Sequence, residues 1–141
     1  MALPFQLQDL LYALTQSAHN FGAVAVTAAA IFARWPARQS PAIQQQLAWL
    51  VLAGWAVQAA SGATLGAISL AFYGRFPDIH GIALAALLLK MACAATGLVL
   101  AAAYLKSAAG WPEQRQNAVW SLLVALAITA LSAAAFLRWF S

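Results

Sequence analysis

Two ionisable side chains interrupt apolar stretches of this 141-residue chain. Lys90 lies in Ala86-Leu87-Leu88-Leu89-Lys90-Met91-Ala92-Cys93, and His19 in Gln16-Ser17-Ala18-His19-Asn20-Phe21-Gly22. An imidazole can move a proton or ligate a metal. An amine can pair with an anion or, when neutral, act as a base. An ionisable group inside a membrane span costs at least about 2.5–3.5 kcal/mol on insertion scales, so it is first read as a functional site. The other reading is structural: Lys90 snorkels, or hydrogen-bonds to carbonyls and to Thr64 or Ser61. Gln16 and Asn20 are four residues apart and adjoin His19 on a helix surface. They are candidates to orient its ring or to join helices.

Other candidate residues carry weaker patterns. His80, in Pro77-Asp78-Ile79-His80-Gly81, stands at the mouth of an apolar run beside Asp78. Met91 and Cys93 are soft ligands of the kind that suits Cu(I), although residues two apart do not face each other on a helix. A single cysteine excludes an internal disulfide framework or a multi-cysteine metal site within one chain. No Ser-His-Asp set, phosphate loop or HExxH stands out, and no acidic residue falls inside an apolar run. A carboxylate proton relay is therefore not expected.

The elements that must position these residues follow from composition. Hydrophobic residues make up 65% of the chain and charged residues 7%, with a mean hydropathy of +0.80. A soluble domain carries about 25% charge, so a soluble enzyme or nucleic-acid binder is excluded. Seven Lys and Arg against three Asp and Glu give a formal charge of +4, but the bases are scattered rather than clustered. Four apolar runs, about 10–32, 48–72, 81–105 and 118–139, are each long enough to cross a bilayer as a helix. Pro36 and Pro41, Gly74 with Pro77, and Gly110 with Pro112 mark the breaks. The connections are short, so the expected fold is all-α: an integral membrane four-helix bundle with antiparallel neighbours. Trp35, Trp49, Trp111, Trp120 and Trp139 fall near run ends, as an interfacial belt would, and Trp55 lies deeper. The first residues lack a basic segment, so they are read as the start of the mature chain.

Loop charge sets the expected orientation. Arg34, Arg38, Lys106 and Arg115 flank the first and third connections; Arg75 and Arg138 lie at the other end with Asp9 and Asp78. The positive-inside rule then puts both termini outside, in the periplasm of a Gram-negative host. His19 and Lys90 are each nine residues into spans that run in the same direction, roughly 13 Å below the outer boundary. Ser61, Thr64, Thr129 and Ser132 reach about that depth, with Gln58 nearer the cytoplasm. One polar layer in the outer half is expected. His80 and Lys90 are about 15 Å apart along the axis, so His19 and His80 do not flank one haem iron in bis-His fashion. Gly62-Ala63-Thr64-Leu65-Gly66 permits close helix approach, within the bundle or across a homo-oligomer.

The set of His19 with Gly22, Arg34 after the first span, Lys90 in the third, Tyr104-Leu105, and Arg115–Asn117 opening the fourth resembles the CopD-like copper-resistance group and the related HemJ-type protoporphyrinogen oxidases. Those are four-helix membrane proteins of bacteria. The chain departs from the HemJ pattern in having Ala118 after Asn117, and in the ten-residue separation of His80 and Lys90. The resemblance implies an inner-membrane protein that binds b-type haem or porphyrin through His19. Lys90 would be a second ligand or a propionate partner, and Asn20, Gln16 and Thr64 would line the site. Two other functions fit the same sequence: a non-catalytic membrane subunit of a larger, respiratory-type complex, and copper handling across the membrane.

Overall fold

The structure, a computed structural model, describes residues 3–140. Four long helices account for nearly all of them: α1 (Leu3–Phe32), α2 (Pro41–Tyr73), α3 (Gly81–Ser107) and α4 (Glu113–Phe140), with a single 3₁₀ turn at Ala108–Gly110 before α4. The described residues contain no strand. The four apolar runs fall within these helices, and α1, α2 and α4 each begin several residues earlier than the runs do. At α2 the reason is local. The Ser40 hydroxyl accepts from the Ile43 backbone N–H at 3.4 Å, and Pro41 fills the first helical position, where its missing N–H costs nothing. Gly74 ends the same helix at φ 69°, donating to the Leu70 carbonyl from a left-handed conformation that favours glycine.

α2, α3 with its following 3₁₀ turn, and α4 are long and apolar enough to cross a membrane, the signature of a membrane protein. α1 has the length but not the apolarity. Gln6, Gln8, Asp9, Gln16, Ser17, His19 and Asn20 occupy its first two-thirds. Of the four expected spans, three are helices apolar enough to cross and the first is a mixed one.

Side-chain size is distributed inside out. The fully buried positions are dominated by alanine, including Ala29, Ala30, Ala33, Ala48, Ala101 and Ala127. Large apolar side chains point away from the protein, with Phe21 76% and Val99 67% exposed. In water this would be a severe loss of burial. In lipid, where tails are as apolar as leucine, helices associate through small residues that let backbones approach.

α1 lies chiefly against α2, and α3 against α4; α2 also meets α3, and α1 meets α4 more loosely. The α1–α2 contacts run from Gln8, which donates to the Tyr73 hydroxyl at 2.6 Å, to Ala33, whose carbonyl accepts from Gln44 at 3.1 Å. Their closest approach is at Gly22 and Gly54. A Cβ on either would come within 3.1 Å of the other's carbonyl oxygen. The Gly62/Gly66 pair does not serve this purpose. A Cβ there would meet only the edge of His19 or of Phe76, at 3.8–3.9 Å.

One end of the molecule is closed by a polar network. Arg38 donates to Asn117 at 3.1 Å and to Gln116 at 3.0 Å, and lies 3.6 Å from Glu113. Arg34 donates to the Asn117 carbonyl at 3.2 Å and to the Ser121 hydroxyl. Beneath them the Tyr104 hydroxyl donates to Gln44 at 2.8 Å, and Gln44 is fully buried. The Tyr104 ring meets Trp111 and Trp120 edge-on, at 6.1 and 5.1 Å between centroids. Trp120 is thus a core residue, not part of an interfacial belt. Trp35, Trp49 and Trp139 are exposed near helix ends.

Candidate functional site: the His19–Lys90 pair and its cleft

The imidazole of His19 on α1 and the amine of Lys90 on α3 meet directly, with Nζ 2.6 Å from Nε2. The equal depth expected from residue counts is therefore a contact. The other ring nitrogen, Nδ1, lies 2.7 Å from the Ser61 hydroxyl on α2. That hydroxyl also contacts the carbonyls of Val57 and Gln58, one turn back. A hydroxyl has one hydrogen and can donate only once. With the Ser61 hydrogen directed to Val57, its oxygen accepts from His19 Nδ1–H. Nε2 is then the bare nitrogen, and Lys90 donates to it. This tautomer is assigned from the hydrogen-bond network. A chain of donors results, from Lys90 through His19 and Ser61 to a backbone carbonyl. Gln58 adds a further tie, donating to the His19 carbonyl.

His19 and Lys90 are partly buried, and both line a half-open cleft of about 490 Å³. Small-molecule sites typically occupy 300–1,000 Å³. α1 contributes Gln16, His19, Asn20, Ala23, Val26 and Thr27 to the cleft, and the facing wall is the second half of α4. The cleft thus opens along α1 and α4, the most loosely associated of the neighbouring helices. Its floor is Trp55, whose indole covers Gly97 of α3 so closely that a Cβ there would overlap the ring. The Trp55 indole N–H has no acceptor.

The remaining candidates separate. Gln16 and Asn20 line the cleft but bond to each other, at 2.9 Å, rather than to the His19 ring. Ser61 orients the ring instead. Thr64 is exposed and donates to the Ala60 carbonyl of its own helix; it lies outside the cleft lining. Thr129 and Ser132 share the depth but not the direction. They line a second, shallower groove between α3 and α4. The expected single polar layer is therefore confined to α1, α2 and α3. His80 caps the start of α3 in the open, 3.5 Å from Asp78. Met91 is exposed and Cys93 is buried in the core, so the two sulfurs do not share a face. The described residues include no group of three His, Cys, Asp or Glu placed to hold a metal ion. Gln58 and Ser61 are the site residues that sequence reasoning left out of the ligand set. Depth singles out Ser61 no better than Thr64, and it sets Gln58 nearer the cytoplasm.

The donor set can be tested against a haem. An axial histidine needs a bare Nε2 and an Nδ1–H held by an acceptor. His19 meets both conditions, with Ser61 as the acceptor. Lys90 occupies the Nε2 direction, so ligation would require its amine to move aside. The residues fit one histidine ligand beside a cationic amine. Comparison of the chain with family models, with curated proteins and with solved structures finds no match, so the resemblance to the CopD-like and HemJ-type proteins rests on the residues quoted for it.

Proposed function

We propose that this chain is a four-span, antiparallel bundle of the bacterial inner membrane that binds b-type haem or a porphyrin beside His19 and serves membrane redox chemistry. One observation carries the reading: His19 and the Lys90 amine at its Nε2 line one cleft, and the far ring nitrogen is fixed by Ser61. The antiparallel arrangement is supported by the pairings of Gln8 with Tyr73, His19 with Ser61, and Ala33 with Gln44. The crossing of α1 is supported by its exposed Leu14, Phe21 and Val24, which suit lipid. When bound, haem iron supplies one-electron chemistry. This chain's own residues orient the ligand and shield it. Ser61 holds the imidazole, Lys90 supplies a positive charge next to it, and Trp55 with the alanines of α4 keeps water from one side.

The test is an absorption spectrum of the full chain purified in detergent. A Soret band that disappears in His19→Ala supports the reading. No Soret absorption, with pigment content unchanged in His19→Ala, overturns it.

A second reading, a non-catalytic subunit of a larger membrane complex, is favoured by the small, exposed Gly62 and Ala63 of α2, where another helix could approach closely. Homo-oligomer formation through Gly62 and Gly66 is the same idea with a second copy as partner. Co-purification at fixed stoichiometry with a larger protein supports the subunit reading, and a stable isolated monomer counts against it.

A further inference from the structure

We infer that the cleft selects its ligand by a carboxylate, which Arg138 binds at the mouth while the body of the ligand lies between α1 and α4. This rests on the proposed reading of the cleft as a porphyrin site and names the group it recognises. Three observations carry it. The α4 wall is one helical face, Ala127, Ala130, Leu131, Ala134, Ala135, Leu137 and Arg138. Most of these positions lie three or four residues apart, which keeps them on one side of the helix, and the eleven rises from Ala127 to Arg138 extend about 17 Å. Four of the seven are alanines and two are leucines, so the face is apolar until it reaches one guanidinium.

Charge is the second observation. The cleft is lined by two basic side chains, Lys90 and Arg138, and by none of the chain's three acids, Asp9, Asp78 and Glu113. Two of those acids already face other bases, Asp78 next to His80 and Glu113 next to Arg38. Among the described residues, neither basic side chain of the cleft has a carboxylate within ion-pair reach.

The third observation is level. Arg34, in the turn just past α1, reaches Ser121 of α4. Counting outward along both helices from that pair brings Ser17 and Arg138 to the same height. Arg138 therefore stands just outside the level of His19, at the last turn of α4. A carboxylate there keeps contact with water while a flat apolar body reaches inward to the imidazole. Arginine suits this role because its planar fork pairs with a carboxylate through two parallel hydrogen bonds.

The test is a fluorescence titration of the full chain in detergent with protoporphyrin IX as the free diacid and as its dimethyl ester. The wild type binds the diacid about tenfold more tightly, the scale of one charge-assisted hydrogen bond. Arg138→Gln binds both at the ester's affinity, which also shows that the variant is folded. Arg138→Lys regains part of the preference. Arg75→Gln, which alters an exposed base outside the cleft, leaves it intact. Equal affinity for diacid and ester in the wild type, or a preference that survives in Arg138→Gln, overturns this inference alone. Binding of neither compound overturns it together with the porphyrin reading.

Discussion

The molecule contains two polar clusters at different heights in the same apolar bundle, and they are built in opposite ways. Around Gln44 the polar atoms are spent on one another. Gln44 bridges Tyr104 and the Ala33 carbonyl with no exposure, and Arg34 and Arg38 close over the top. Around His19 the chain of hydrogen bonds stops at an amine that opens onto a cleft. A structural network ends on protein groups, whereas a working one keeps an end free for something else. Burial separates them as well: Gln44 is sealed, whereas His19 and Lys90 are only partly covered.

Substitutions should separate the two clusters by what they damage. The largest loss of stability is expected from Gln44→Ala, which strands the Tyr104 hydroxyl in the core and leaves the Ala33 carbonyl with only its bond from the Gln39 N–H. An unsatisfied buried group costs about 1–3 kcal/mol and a lost hydrogen bond about 1 kcal/mol, so a drop of about 2–4 kcal/mol is expected in a denaturation series in detergent. A change below about 0.5 kcal/mol would show that the network is not structural. Next is Gly97→Ala, which must displace the Trp55 indole from α3. Overpacking of this kind costs about 1–3 kcal/mol, and because Trp55 floors the cleft, porphyrin affinity should fall with it. Unaltered porphyrin affinity would break the link between floor and ligand.

Lys90→Met should reverse the pattern. It removes an ion that is expensive in lipid and leaves only His19 Nε2 without its donor. Stability is expected to stay within about 1 kcal/mol of wild type while diacid binding weakens. A collapse in stability with binding retained would reassign Lys90 to architecture. The smallest effect is expected from Thr64→Val. Its hydroxyl touches only its own helix, so both stability, to within about 0.5 kcal/mol, and binding should be unaltered.

Depth was readable in advance and direction was not. The rise of a helix is constant, so counting nine residues into two spans was enough to bring His19 and Lys90 level. Which way each side chain points depends on rotation about the helix axis, and that is normally read from a polar face. Within the apolar runs of α2, α3 and α4 the polar residues are few and scattered, and they mark no continuous face. Thr64, Ser61, Thr129 and Ser132 therefore looked equivalent, yet only Ser61 reaches the imidazole. Trp120 misled for a related reason. Its place near a run's end suggested an interface, whereas rotation carries it into the core against Tyr104. The Gly22–Gly54 approach was hidden because neither glycine has a second glycine four residues away on its own helix.

The mixed character of α1 has a consequence for how the chain is assembled. Of the two paired helices, α1 is the less able to partition into lipid by itself, since it carries the imidazole and the amides. Its affinity is for α2, where Gly22 meets Gly54 and nothing obstructs close approach. A mixed helix of this kind is expected to settle in an apolar medium as half of a hairpin, its amides turned to the greasier partner.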